Sequence, residues 1–187
     1  GRKYSSSGIS ENAGFDRFNE NIFKDPEQLK RTRRAAEICA QYAENLEIGG
    51  AKGLLLMGET GLGKTFLMDS IGREAIRRGC SVKKYTAYNL IDAALRAVRR
   101  HEAGPELTGA ELLLLDDLGT EPMIPGVTIE TLFAAINERQ FAGKATVIAT
   151  NLTKNELFTQ YGERIFSRLF ASREYAAITL RGKDLRM

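Results

Sequence analysis

Gly58-Glu59-Thr60-Gly61-Leu62-Gly63-Lys64-Thr65 matches the spacing G-x-x-x-x-G-K-[ST] at every fixed position. A loop with three glycines can turn its backbone N–H groups inward around an anion. Lys64 would then reach β- and γ-phosphates, and Thr65 would place a hydroxyl on Mg²⁺. This chemistry needs a strand before the loop and a helix after it. Gly53-Leu54-Leu55-Leu56-Met57 is an apolar run of the right length for a buried strand. Beyond the loop, apolar residues at 66, 67, 71, 75 and 76 share one helix face. The N-terminus of that helix adds the positive end of its dipole. A chance glycine-rich turn would not carry both flanks. The spacing predicts that the chain binds a nucleoside triphosphate.

Two further segments supply groups suited to hydrolysis. Leu112-Leu113-Leu114-Leu115 runs into Asp116-Asp117, and such a strand end lies beside the phosphate loop in a nucleotide-binding sheet. Asp116 is placed to hold Mg²⁺ through a water while Thr65 binds it directly. Asp117 points differently and could polarise the attacking water, with Glu121 a second possible base. Capping of a strand end is the alternative for these acids, and the phosphate loop nearby favours catalysis. Val147-Ile148-Ala149-Thr150-Asn151 is another strand with a polar end. Asn151 either orients water near the γ-phosphate or simply forms a turn. Arg164 and Arg168, in Gly162-Glu163-Arg164-Ile165-Phe166-Ser167-Arg168-Leu169, are four residues apart and share a helix face. They serve either a salt-bridge network or a phosphate on a neighbouring subunit.

The elements that must position these groups are legible from periodicity. Residues 1–14, rich in Ser, Gly and Asn, read as a flexible leader, and Phe15, Phe18 and Phe23 pin an irregular arm. Asp25, Pro26 and Gln28 start a helix that runs to a stop at Gly49-Gly50. Gly79 caps the helix after the phosphate loop. Strands are expected at 81–85, 112–115, 145–150 and 176–180. Between them, apolar residues mark helices through Leu90–Val98 and Ile129–Ile136, and Thr153 with Glu156 forms a capping box for one more. This alternation predicts an α/β fold with a mostly parallel sheet.

The bulk composition excludes several classes. At 187 residues, one domain is expected, here spanning 15–187. The chain is 43% hydrophobic with no apolar run near the length of a membrane span, so no membrane partner is expected. Cys39 and Cys80 lack metal-ligand companions and read as reduced cysteines of a cytoplasmic protein. A single histidine, His101, disfavours a histidine-based metal site or triad. The net charge of +3 does not argue nucleic-acid binding by itself. The basic clusters at 30–34, 96–100 and 181–186 are each explained by a solvated face.

These pieces, in this order, resemble the AAA+ ATPases. The resemblance is strongest to the ATPase domain of bacterial replicative-helicase loaders and the related transposition helper ATPases. It is carried by Gly58–Thr65, Leu114-Leu115-Asp116-Asp117-Leu118-Gly119-x-Glu121, Ala149-Thr150-Asn151-Leu152, Gly162-Glu163-Arg164-x-x-x-Arg168-Leu169 and Gly182-Lys183-Asp184-Leu185-Arg186. It implies a P-loop domain with a five-stranded parallel sheet, helices on both faces and no helical lid. ATP and Mg²⁺ are the implied cofactors, with Gly58, Glu59, Thr60, Gly61, Leu62, Gly63, Lys64, Thr65 and Phe66 around the nucleotide. Asn151 takes the role of first sensor, Arg168 that of an arginine finger acting in trans beside Arg164, and Arg186 that of a second sensor. The helix around Leu90–Arg100 becomes a site for single-stranded DNA. Self-association through the ATP site and a replicative DNA helicase are the implied partners, the helicase gripped by a region outside this sequence. A transposition helper ATPase and a small-molecule kinase are the alternatives. The kinase would need a mobile arginine-rich lid and does not predict the double Asp.

Overall fold

The computed structural model describes residues 8–46 and 53–187. Two short 3₁₀ turns, Phe15–Arg17 and Glu20–Ile22, lead into helix α1 (Pro26–Glu44). Strand β1 (Gly53–Met57), α2 (Lys64–Arg77), β2 (Val82–Thr86) and α3 (Ala87–Arg100) follow. The chain continues as β3 (Leu112–Leu118), α4 (Thr128–Phe141), β4 (Ala145–Thr150), α5 (Lys154–Phe170) and β5 (Tyr175–Thr179). The strands form one sheet in the order β2-β3-β4-β1-β5, and every neighbouring pair is parallel. The expected five-stranded parallel sheet is therefore present.

Strand periodicity sorts the core into two layers. Leu54, Leu56, Leu112, Leu114 and Val147 meet Ala35 and Cys39 of α1 and Leu67, Met68 and Ile71 of α2. Leu55, Leu115 and Ile148 point to the opposite face, against Leu90 and Ile91 of α3, Leu132 of α4 and Leu157 and Ile165 of α5. Because helices cover both faces, β1 and β4 are buried at every residue, which is why they read as unbroken apolar runs. Cys39 is buried and Cys80 partly so, and the two form no disulfide. No helix among the described residues is long and apolar enough to cross a membrane.

Local signals set most boundaries. Asp25 caps α1 by accepting from the Glu27 N–H at 2.9 Å, with Pro26 in the first helical turn. Thr153 and Glu156 form the expected capping box. The expected helix stop at Gly49-Gly50 lies outside the described residues. Three expectations need correction. Strand β3 runs past Leu115 through both acids to Leu118, because its pairing with β4 shifts register between Leu115 and Leu118. Gln28 does not complete a helix cap; its amide donates to the Lys183 carbonyl at 2.8 Å and accepts from the Lys183 N–H at 3.1 Å. From residue 8 onward the expected leader is packed: Ile9 and Ala13 are buried, and the Gly14 N–H donates to Ser70 Oγ at 3.0 Å.

Arg139 of α4 is fully buried. Its guanidinium donates to Thr146 Oγ1 and to the carbonyls of Leu107, Ala110, Glu111 and Ala145, using all five N–H groups. Burial pulls its pKa below the usual arginine range. The side chain sews the 101–111 connection to β4. Arg139→Ala would orphan those acceptors around a cavity and is expected to cost about 3–5 kcal/mol, read as a lowered midpoint in urea unfolding.

Candidate functional site

The phosphate loop spans β1 and α2 as its spacing requires. Gly63 occupies the N-cap of α2 at φ 94°, a left-handed conformation, with open space where a side chain would stand. At Gly61 (φ 80°) a Cβ would collide with the Asp184 carboxylate. The C-terminal segment approaches the loop closely there, and the Leu185 N–H donates to the Gly61 carbonyl at 2.9 Å. A cavity of about 650 Å³ opens over the loop, within the range of small-molecule sites.

Lys64 is 7% exposed, and its ammonium donates to the carbonyls of Gly58 and Glu59 at 2.6 Å each. Burial lowers its pKa, while Asp116 and Asp117 act in the opposite direction. Thr65 Oγ1 donates to Asp116 Oδ2 at 3.0 Å, and Asp116 is buried. Two hard oxygen donors thus meet at the mouth of the loop. No group of three or more acidic, Cys or His ligands exists among the described residues. That donor set fits Mg²⁺, which takes most of its shell from phosphate and water.

Asp117 lies at φ 53°, a costly conformation for a non-glycine residue. The shift in register turns it out of the sheet, so that it is exposed and lines the cavity while Asp116 stays buried. Desolvation, then the charge of Asp116, raises its pKa. Asn151 also lines the cavity, and its amide donates to Thr60 Oγ1 at 2.9 Å. Thr60, Leu62 and Phe66 line the same space. Arg186 reaches it too, though its guanidinium is held by Asp184 at 2.7 Å.

Glu121 is elsewhere, which corrects its reading as a second base. Its carboxylate is buried, accepting from the Gly119 N–H at 2.8 Å and from the Tyr161 hydroxyl of α5. It locks the turn after β3 and does not line the cavity. Arg164 and Arg168 are also outside the cavity, on the part of α5 beyond a break at Gly162 (φ 79°). Their guanidinium carbons lie 4.1 and 5.9 Å from the centroid of the Phe133 ring. Neither guanidinium makes a hydrogen bond or ion pair to a described residue. A salt-bridge network within the subunit does not account for them.

One wall of the cavity comes from a segment that no motif in the sequence marks. Arg17, Phe18, Asn19, Ile22 and Phe23 of the N-terminal arm close it, with Phe18 against Phe66 at 6.4 Å between ring centroids. The aromatic spacing of the arm was visible, but nothing local says where it folds.

A family model of IstB-like ATP binding proteins matches residues 36–170, which include the phosphate loop, both acids, Asn151 and both arginines. The chain belongs to this family. Among curated relatives, this IstB-like protein is 35% identical over 127 residues to the chromosomal replication initiator protein DnaA of Zymomonas mobilis. That match covers 63% of the chain and 24% of the relative. It is 25% identical over 178 residues to the replicative helicase loader DnaC of Escherichia coli, covering 90% of the chain and 68% of the relative. The crystal structure of the DnaC helicase loader superposes with a TM-score of 0.71 at 21% identity, over 91% of this chain and 98% of that one. The IstB-like chain thus shares the fold of that loader domain. The chain spans only about a quarter of the length of the DnaA relative.

Proposed function

We propose that this IstB-like protein hydrolyses ATP and assembles around DNA to deliver a replicative helicase during DNA replication, acting in the cytoplasm. One observation carries the reading. A loop built for a triphosphate opens beside an exposed acid, while two arginines without anionic partners among the described residues stand outside that site. A nucleotide site completed by a neighbouring subunit accounts for both.

In this reading Lys64 exchanges the carbonyls of Gly58 and Glu59 for β- and γ-phosphate oxygens. A bound Mg²⁺, held by Thr65 and Asp116, would neutralise phosphate charge. Asn151 orients the attacking water, and Asp117 accepts its proton. Arg168 of the adjacent subunit meets charge developing on the γ-phosphoryl oxygens. ATP binding favours assembly and hydrolysis releases it, and the helix α3 surface with Arg96, Arg99 and Arg100 faces single-stranded DNA. Arg186 leaves Asp184 for the phosphates as a second sensor.

Asp117→Asn should retain Mg-ATP binding and lose about 10²–10⁴ in hydrolysis rate, because an amide cannot accept the proton. A base must be deprotonated, and the Asp117 pKa is raised. Activity of the unsubstituted protein should therefore fall on the acid side at a higher pH than an ordinary aspartate would give. A pH–rate profile alongside the substitution checks both.

The experiment that tests the function measures ATP turnover of the full-length protein with and without single-stranded DNA, and identifies its partner by pull-down from its own cells. Turnover raised by DNA, with a replicative helicase captured, supports the loader. A captured transposase instead favours a transposition helper ATPase, a reading supported by the IstB-like family match. Absence of turnover under both conditions contradicts an ATPase.

A further inference from the structure

Lys84 stands on the edge strand β2, yet its side chain is only 11% exposed. The parallel register pairs Lys84 with Leu114 and Thr86 with Asp116. Alternation along the strands therefore puts Lys84 on the same sheet face as Asp116, the face that α2 crosses. Its ammonium is 2.7 Å from Asp69 Oδ1 of α2 and 3.6 Å from Asp116 Oδ2. Asp116 Oδ2 is also the oxygen that accepts from Thr65. The second oxygen of Asp69 accepts from the Ser10 N–H at 3.2 Å, which fixes that carboxylate from the far side.

Two buried carboxylates thus share one ammonium beside the Thr65–Asp116 pair. An ammonium moved fully onto Asp116 would neutralise the oxygen that a divalent cation needs, and in a buried site such a charge is poorly screened. The closer contact to Asp69 holds it back. We propose that Lys84 and Asp69 are positioning residues that set the strength of the divalent-metal site. Asp69 draws the ammonium off Asp116 Oδ2, and Lys84 limits how tightly that oxygen binds metal. The inference rests on Thr65 and Asp116 as the Mg²⁺ ligands.

The test titrates Mg²⁺ against the affinity of the full chain for a fluorescent ATP analogue, beginning in EDTA, with melting temperature followed in parallel. Asp69→Asn keeps the shape and the acceptor for Ser10 but releases Lys84 toward Asp116. The Mg²⁺ concentration giving half-maximal enhancement should rise about tenfold, with affinity in EDTA unchanged. Lys84→Met should lower that concentration by a similar factor while also lowering the melting temperature, since Asp69 loses its partner. Lys84→Arg, which keeps the charge, should return toward the unsubstituted value. A structural role alone would lower melting temperatures and leave the Mg²⁺ midpoint where it was. Unchanged midpoints in Asp69→Asn and Lys84→Met, or shifts of both in one direction, overturn the inference. An Asp116→Asn chain with unaltered Mg²⁺ dependence would instead overturn the metal-site reading, and the inference with it.

Discussion

Lys64→Ala is expected to weaken ATP binding by about a hundredfold while the fold persists. The ammonium is buried at the base of the phosphate loop and already donates to two carbonyl oxygens, those of Gly58 and Glu59. In the proposed function, phosphate oxygens replace these contacts. A hydrogen bond to a charged group contributes about 1.5–3 kcal/mol, and every 1.4 kcal/mol is a factor of ten in affinity. Loss of one or two such bonds therefore produces a change easily seen by fluorescent-nucleotide titration. The sheet and helices that frame the loop do not depend on the ammonium, so urea unfolding should shift little. Unchanged affinity would take the phosphate-binding role away from this loop.

Arg168→Ala is expected to leave ATP affinity intact and to reduce hydrolysis by about 10³–10⁵, the range for arginine fingers in related NTPases. The intact affinity follows from position, since Arg168 lines no part of its own subunit's cavity. The rate loss follows from the role proposed for its guanidinium at the neighbouring site. Its guanidinium is stacked near Phe133 with Arg164 and makes no ion pair to a described residue. Removing it should cost the isolated subunit about 1 kcal/mol or less. Assembly in the presence of ATP, followed by light scattering, should weaken together with turnover. Hydrolysis at the unsubstituted rate would restore Arg168 to an ordinary surface arginine.

What could be read from sequence was what depends on neighbours along the chain. The phosphate loop is eight consecutive residues whose backbone conformation and chemistry are both local, and the caps at Asp25 and Thr153 are set within three residues. The strands were legible because burial on both faces leaves unbroken apolar runs. Glu121 was misplaced for the opposite reason. Asp117 turns outward at positive φ after a shift in register, and a tyrosine 40 residues later claims the Glu121 carboxylate. Gln28 looked like a capping residue because its partner, Lys183, is 155 positions away. Nothing near Arg139 or Lys84 in the sequence signals their burial. The carbonyls that hold Arg139 and the carboxylates that hold Lys84 come together only when the sheet is assembled. The aromatic arm was visible as a pattern, but its place over the phosphate loop is a tertiary result.

In the proposed function the completed site spans two subunits, and mixing two inactive variants tests this most directly. Lys64→Ala holds nucleotide only weakly but keeps Arg168, while Arg168→Ala keeps the phosphate loop but lacks the proposed finger. In demonstrably mixed assemblies, a Lys64→Ala subunit can lend its arginine to a neighbour with an intact loop. ATP turnover should then recover to a substantial fraction of the unsubstituted rate, rising with the proportion of mixed neighbours. Mixed assemblies that stay as inactive as either variant alone would contradict a site completed in trans.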